Sequence, residues 1–236
     1  MSQYHILFIF AHPDDETFAC GGTLSRYAGD PDVQTSLYCA TPGDAGSPGT
    51  PPLCTQEELG QYRAKELASA ADVLGIDRLI LRDFHDRSLE HLPKEILMED
   101  IKKTIENIRP DAVVTFPPHG ISGHPDHQAV QLATLKALQQ CDPDQRIRLY
   151  YVVIPQSESR ENSSVYTTPD EAVTTRINVA PYRKRIMKAL QQHRTQHKSV
   201  EKVFPGVLNG DWQSLRTWEF FQAVRPLTGI SSDSLL

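Results

Sequence analysis

Residues 5–16 read HILFIFAHPDDE, an uninterrupted apolar run that ends on a histidine, a proline and three acidic residues. An apolar run of this length is too short to cross a membrane and is typical of a strand buried on both faces of a parallel sheet. Pro13 has no backbone donor, and its fixed φ suits the opening turn of a helix. The stretch therefore predicts a buried strand over residues 5–11 that passes directly into a helix, with ionisable side chains at the junction.

The rest of the chain alternates short apolar runs with longer segments of helical period. The predicted strands are residues 5–11, 34–41, 78–81, 111–116, 148–154 and 173–179. The predicted helices are residues 17–28, 57–74, 94–108, 124–139 and 181–193. Strand–helix alternation is typical of a parallel sheet that helices cover on both faces. We therefore predict an α/β fold, a Rossmann-like three-layer sandwich with a mostly parallel sheet, in a single domain over residues 1–236.

Composition and charge narrow the class of protein. The 236 residues are 39% hydrophobic and 23% charged, as in ordinary soluble proteins, and the formal net charge is −6. Such a surface repels polyanions on average, so we expect no nucleic-acid partner.

The N-terminal residues lack the pattern of a signal peptide, and we expect no membrane contact and a cytoplasmic location. Wide spacing of the cysteines argues against disulfides and against a cysteine-zinc site. The cysteines are Cys20, Cys39, Cys54 and Cys141.

Polar clusters follow each of the first four predicted strands. They are residues 12–16, 41–46, 83–86 and 119–127. Ligands of open parallel sheets bind outside the carboxyl ends of the strands. Because four consecutive strands deliver ionisable groups to one edge, the pattern predicts an active site there.

Two of these clusters have the spacing of metal ligands. His12 and Asp15 stand three residues apart, and His124 and His127 repeat that spacing. Residues i and i+3 share one face of a helical turn, so each pair can converge on one ion. One imidazole from the second pair would complete a set of two histidines and one carboxylate, which suits zinc and leaves a position for water. Asp14, a second carboxylate beside a ligand carboxylate, needs either a cation or a proton-handling role.

The two motifs resemble the paired signature of the PIG-L/LmbE-like deacetylase family: AHPDDE at residues 11–16 and GHPDH at residues 123–127. Weaker similarities extend the resemblance over nearly the whole chain. They are T-x-G-D-x-G at 41–46, R-x-x-E at 63–66, L-G at 74–75, Asp86, H-x-x-Q at 193–196 and E-x-F at 219–221. The family includes the zinc deacetylases of N-acetylglucosaminyl-phosphatidylinositol, mycothiol and bacillithiol biosynthesis.

The resemblance implies an activity: metal-dependent hydrolysis of the N-acetyl group of an N-acetylglucosamine-containing small molecule, giving acetate and the free amino sugar, in low-molecular-weight thiol biosynthesis. It also implies one Zn²⁺ per chain, with other divalent ions able to replace it, and a homo-oligomer, either trimer or hexamer.

The resemblance further implies roles for individual residues. The metal ligands would be His12, Asp15 and His127. The catalytic residues would be Asp14 as general base, His124 as transition-state stabiliser and Asp126 as the group that orients His124. The substrate contacts would be Arg63 and Asp86. Some family members carry a tyrosine two residues before the first histidine of the second motif. Here Ser122 stands at that position, so no oxyanion contact from a tyrosine is expected there.

Other interpretations remain open from the residues alone. The same zinc chemistry would serve an amidase that cleaves S-conjugates of a thiol. A receiver-like signalling module would use the acidic pair and Asp83 for magnesium, but it leaves His12 and residues 123–127 unexplained. A non-catalytic sugar-binding protein that retains the metal is a third class. Arg63 is either a substrate contact or an exposed helix charge, and the loop at residues 41–55 is either a lid or a surface insertion.

Overall fold

The computed structural model describes residues 4–159, 165–225 and 232–236. Its strands are β1 (Tyr4–Phe10), β2 (Val33–Cys39), β3 (Arg78–Leu81), β4 (Ala112–Thr115), β5 (Arg148–Val153), β6 (Thr175–Asn178) and β7 (Trp218–Arg225). Its α-helices are α1 (Asp15–Tyr27), α2 (Leu59–Leu74), α3 (Lys94–Ile108), α4 (Gly120–Gly123), α5 (Pro125–Cys141), α6 (Arg183–Leu190) and α7 (His197–Val203). Short 3₁₀ turns cover Leu89–His91, Gln156–Glu158, Asp170–Ala172, Ala180–Tyr182, Arg194–Gln196 and Val207–Asn209.

The strands of the described residues form one seven-stranded sheet in the order β3-β2-β1-β4-β5-β7-β6. The first five strands pair in parallel, and β7 runs antiparallel to both β5 and β6. Residues 6–10 of β1 are fully buried, which requires layers on both faces of the sheet. Helices α3 and α5 pack on each other in one group, and α1 and α2 pack on α6 in another. The predicted α/β class with a mostly parallel sheet is confirmed.

The sequence pattern missed β7. Its side chains alternate in burial, as expected for a strand with one buried face. The inward positions, however, include Glu219 and Arg225 as well as Phe221 and Ala223. Two buried charges break the apolar alternation that marks a strand, so the segment does not stand out in the sequence.

Glu219 compensates for a defect in α1. The helix is kinked at Cys20, where φ is −150° and ψ is 33°. The Glu219 carboxylate accepts the backbone N–H groups of Gly22 and Thr23 at 2.9 and 2.8 Å. A Cβ added to Gly22 would lie 2.3 Å from the Cβ of Val179, so only glycine lets the helix approach this closely.

The other predicted elements are present: β3 and α3 have the predicted bounds, and the rest have shifted ends. Helix α1 begins at Asp15 rather than at residue 17, and α6 is shorter than the predicted 181–193. The short helices α4 and α7 were not predicted. Gly75 has φ 79° and caps α2 in the left-handed conformation. Within the described ranges, no helix combines the length and the apolar character needed to cross a bilayer.

The strand order explains where the polar clusters meet. Because β3, β2, β1 and β4 are adjacent and parallel, their carboxyl ends lie along one edge of the sheet. Residues 12–16, 41–46, 83–86 and 119–127 follow these four ends directly. Residues 41–55 contain no helix or strand, and residues 160–164 of the polar segment before β6 lie outside the described part of the chain.

Candidate metal centre and active site

The junction between β1 and α1 has an unusual backbone. Asp14 precedes the helix with φ 114°, a value that L-residues other than asparagine and aspartate rarely adopt. The Asp15 carboxylate turns back to accept the His12 backbone N–H at 2.8 Å. The turn therefore directs the side chains of His12 and Asp15 to the same place and leaves Asp14 beside them.

Residues 12 and 127 meet although 115 positions separate them in the sequence. Nδ1 of His12 lies 3.3 Å from Nε2 of His127. The two carboxylate oxygens of Asp15 lie 3.2 Å from Nε2 of His127 and 3.5 Å from Nδ1 of His12. All three side chains are largely buried. The structure thus brings together the three residues predicted to hold a metal ion.

Hydrogen bonds on the far side of each ring indicate which nitrogens carry lone pairs. Nδ1 of His127 donates to the Gly120 carbonyl at 2.9 Å, so Nε2 is the nitrogen that can bind a metal. Nε2 of His12 lies 3.0 Å from Asp86 and 3.2 Å from Asp126 and donates to these carboxylates. In the neutral ring that binds a metal, Nδ1 then carries the lone pair, and it faces His127. Metal-binding histidines are typically oriented by such carboxylate or carbonyl acceptors.

Two facing lone pairs and a carboxylate repel one another unless a proton or a metal cation lies between them. Four ligands at the usual zinc–nitrogen distance, arranged as a tetrahedron, lie about 3.3–3.4 Å apart. The 3.3 Å between the two nitrogens matches this arrangement, and each nitrogen has a different Asp15 oxygen at 3.2–3.5 Å. His12, Asp15 and His127 therefore fit a zinc ion, and the donor set also suits other divalent ions.

His124 lies beside this group but is engaged differently. Its ring centroid is 4.7 Å from that of His12 and 5.0 Å from that of His127, and the three imidazoles form a possible ligand group by distance alone. Its Nδ1 accepts the backbone N–H of Asp126 at 3.2 Å and caps α5. Burial and the neighbouring imidazoles lower the pKa of His124. A neutral ring with Nδ1 as acceptor carries its proton on Nε2 and is a hydrogen-bond donor.

The Asp126 carboxylate does not have the expected partner. A hydrogen bond from it to His124 is absent among the residues that the structure describes, and only the Asp126 backbone contacts that ring. The carboxylate instead lies on Nε2 of His12 and accepts the backbone N–H groups of Arg87 at 2.7 Å and Leu89 at 3.1 Å. The helix start directs the side chain of position 126 across to β1, and the orientation of His124 by Asp126 stays a prediction.

Asp86 and Arg63, the two predicted substrate contacts, are both buried. Asp86 is 5% exposed, and its carboxylate holds His12. Arg63 is 4% exposed, so the alternative of an exposed helix charge is wrong. A direct contact of either side chain with a sugar stays a prediction.

The Arg63 guanidinium is anchored beside Asp14. It donates to the carbonyls of Gly43, at 3.0 Å, and Pro13, and it lies 3.4 Å from the Asp14 carboxylate. A Cβ on Gly43, where φ is 68°, would overlap the guanidinium, so the start of the loop at residues 41–55 is packed against Arg63. Removal from water raises the pKa of Asp14 to about 6, while Arg63 acts in the opposite direction.

Comparison with known proteins agrees with this geometry. A family model described as PIG-L, GlcNAc-PI de-N-acetylase, matches residues 7–138, which is more than half of the chain and includes both His-Pro-Asp segments. The chain belongs to the PIG-L family.

Relatives of this PIG-L protein span the same length. The probable N-acetyl-alpha-D-glucosaminyl L-malate deacetylase 2 of Bacillus cereus is 30% identical over 91% of this chain and 94% of its own. The 1D-myo-inositol 2-acetamido-2-deoxy-alpha-D-glucopyranoside deacetylase of Saccharomonospora viridis is 28% identical, covering 97% and 98%. In fold, the chain is similar to N,N'-diacetylchitobiose deacetylase from Pyrococcus horikoshii, with a TM-score of 0.68 and 20% identity over 94% and 84%.

Asp44 and His85 of this PIG-L chain, which contact each other beside the site, were not singled out in the sequence. The Asp44 carboxylate accepts the Asp86 backbone N–H at 3.0 Å and contacts Nδ1 of His85. Asp44 thereby ties the segment after β2 to the segment after β3. The sequence signal for Asp44 was its position in the T-x-G-D-x-G segment at residues 41–46. No periodicity in the sequence links Asp44 to residues 85 and 86.

Proposed function

We propose that this chain is a zinc-dependent hydrolase that removes the N-acetyl group from an N-acetylglucosamine-containing small molecule. One observation carries the proposal. Nδ1 of His12 and Nε2 of His127 converge with the Asp15 carboxylate within 3.5 Å, beside the Asp14 carboxylate, which is not itself among the converging atoms. Such a site joins a metal with three protein ligands to an adjacent base, as amide hydrolysis requires.

The reaction adds water to the acetyl carbon and breaks the C–N bond, giving acetate and a free amine. When bound, zinc acts as a Lewis acid and lowers the pKa of water to about 7. Asp14 accepts a proton from the attacking water and passes it to the departing amine. His124 donates from Nε2 to the carbonyl oxygen as negative charge develops there.

The surrounding residues support these roles. Asp86 and Asp126 hold the proton on Nε2 of His12 and keep Nδ1 available to the metal. Arg63 holds Asp14 and favours its ionised form, as a base needs.

The substrate class is inferred from relatives whose names specify glycosides of N-acetylglucosamine with malate and with inositol. We infer that this chain takes a similar amino sugar with a polar aglycone, in low-molecular-weight thiol biosynthesis. A thiol S-conjugate with the same N-acetyl centre is the alternative substrate. Self-association into trimers or hexamers and a cytoplasmic location stay predictions.

Metal analysis and an amine-release assay test the proposal together. The purified chain is expected to contain one zinc per chain, to lose activity on treatment with a chelator and to regain it with zinc. The panel contains the malate and inositol glycosides of N-acetylglucosamine, the free sugar and thiol S-conjugates. Deacetylation of a glycoside supports the proposal, cleavage of the S-conjugates alone favours the amidase, and no amine release with full zinc occupancy contradicts both.

Replacing His124 with alanine is expected to leave zinc bound and to lower kcat by about 10²–10³-fold, because a transition-state donor is lost. The variant also loses the cap of α5. His124→Asn is the matched control, since asparagine is a good helix cap but does not reach as far as the imidazole Nε2. Equal loss of kcat in both variants isolates the donor from the cap. Loss of zinc in both would mean that His124, not His127, is the ligand.

Replacing Arg63 with glutamine is expected to move the acidic limb of the kcat/KM profile to higher pH by about one unit or more. Asp14 must be ionised to act as a base, so activity is present above its pKa and lost below it. Loss of the adjacent cation raises that pKa further above about 6. Arg63→Lys keeps the charge and should shift the limb less. An unchanged limb in Arg63→Gln would show that Asp14 does not control it.

A further inference from the structure

A fully buried pair of ionisable side chains lies next to Asp14 and has no part in the mechanism above. Nε2 of His193 lies 2.9 Å from Oε1 of Glu16. His193 is 0% and Glu16 1% exposed, and 176 residues separate them in the chain. Glu16 belongs to the first turn of α1, whereas His193 follows α6 and precedes the 3₁₀ turn Arg194–Gln196.

Glu16 connects this pair to the backbone of Asp14. Its Oε2 accepts the Asp14 N–H at 3.1 Å, while its Oε1 receives the Thr17 hydroxyl and the His193 ring. The Asp14 backbone is in the positive-φ region, a strained conformation that persists only where surrounding contacts hold it. The carboxylate of Glu16 is a contact of this kind, and it acts on the peptide unit that directs the Asp14 side chain.

The imidazole of His193 is costly to bury, which indicates a specific purpose. Its Nδ1 is buried without a hydrogen-bond partner among the described residues, and burial of an unsatisfied polar atom is destabilising. An apolar side chain would fill the same space without that cost. In return, the imidazole forms a hydrogen bond with Glu16. This hydrogen bond is therefore the reason for an imidazole at position 193.

We propose that His193 is a positioning residue for Asp14: by fixing Glu16, it holds the backbone of the general base in its left-handed conformation. This inference rests on the proposed function, in which Asp14 takes the proton from water. It predicts that His193 affects turnover and the local backbone at Asp14 without affecting metal binding.

Substitution of His193 with asparagine or glutamine distinguishes the hydrogen bond to Glu16 from the mere presence of a polar side chain. The side-chain nitrogen of glutamine can occupy the position of the imidazole Nε2, whereas that of asparagine reaches only the position of Nδ1. His193→Asn is therefore expected to lose the bond to Glu16, and His193→Gln to keep it. Thr195→Val is the control for the segment, because Thr195 donates to Glu66 through its N–H at 2.8 Å and its hydroxyl at 2.7 Å and has no bond to Glu16 or Asp14.

The zinc-loaded variants are compared in kcat, KM, zinc content and the exchange rate of the Asp14 amide proton, measured by NMR. His193→Asn should keep zinc and KM, lower kcat by about 10–100-fold through misplacement of the base, and speed Asp14 exchange at least about tenfold. His193→Gln should restore both quantities most of the way. Thr195→Val should lower the Tm but change neither kcat nor Asp14 exchange.

Several outcomes would overturn the proposal. Unchanged Asp14 exchange in His193→Asn, loss of zinc from that variant, or equal effects of Thr195→Val would each show that His193 does not act through Asp14. If His193→Asn does not fold, His193→Leu fills the volume without a donor and is measured in its place. Should the wild-type chain release no amine, the proposed function fails, while the exchange rates still decide whether His193 fixes Asp14.

Discussion

Asp14→Asn is expected to retain zinc and to lower kcat by about 10²–10⁴-fold, the usual contribution of a general base. Asparagine has almost the shape of aspartate but does not accept the proton of the attacking water. It also tolerates the backbone φ of 114° at this position, whereas alanine would add strain to the chemical loss. The measurement is kcat with the best glycoside of the panel, together with zinc content and Tm.

The control for Asp14→Asn is Asp83→Asn. Asp83 is also an acid that follows a strand at the same edge of the sheet, but it is exposed. Asp83→Asn makes the same change in net charge as Asp14→Asn. Because substitutions of exposed polar residues usually have small effects on the folded protein, kcat should stay within about twofold. A near wild-type rate in Asp14→Asn would show that another group takes the proton.

His12→Ala and Asp15→Ala are expected to abolish both zinc binding and activity. Each removes one of three protein ligands, and the remaining two do not retain an ion against dilution. His12→Ala also leaves Asp86 and Asp126 facing each other without the imidazole between them, so its Tm should fall more than that of Asp15→Ala.

Equilibrium dialysis against zinc, followed by metal analysis, measures this loss. His124→Asn, which changes a neighbouring imidazole outside the ligand set, serves as the control and should bind zinc as the wild type does. Full zinc occupancy in His12→Ala would contradict the assignment of the ligands, whatever the effect of the substitution on turnover.

The sequence was informative where function depends on local spacing. The apolar run before His12 is typical of a buried strand, and its predicted ends differ from those of β1 by one residue. His12 and Asp15 share a helical turn, and His127 follows β4, the neighbour of β1. Parallel pairing of adjacent strands then brings the two segments together, which is why their meeting was predictable, while the choice of His127 over His124 came from the family resemblance.

Contacts between distant segments were not predictable in the same way. Asp126 is next to the second histidine pair in the sequence, yet its carboxylate lies on His12. Arg63 is on a helix whose period is compatible with an exposed face, but its guanidinium is buried against Gly43. Periodicity reports which element a residue belongs to, whereas these partners depend on how separate elements pack.

The position of Asp126 connects the proposed metal site to the segment after β3, which contributes no ligand to that site. Its carboxylate joins the ring of a metal ligand to the peptide N–H groups of Arg87 and Leu89. If the proposed ion binds here, the linkage is reciprocal: ordering of the stretch after β3 would strengthen ion binding, and loss of the ion would loosen that stretch. A substrate that settles against this stretch would therefore tighten the grip on the metal as it binds.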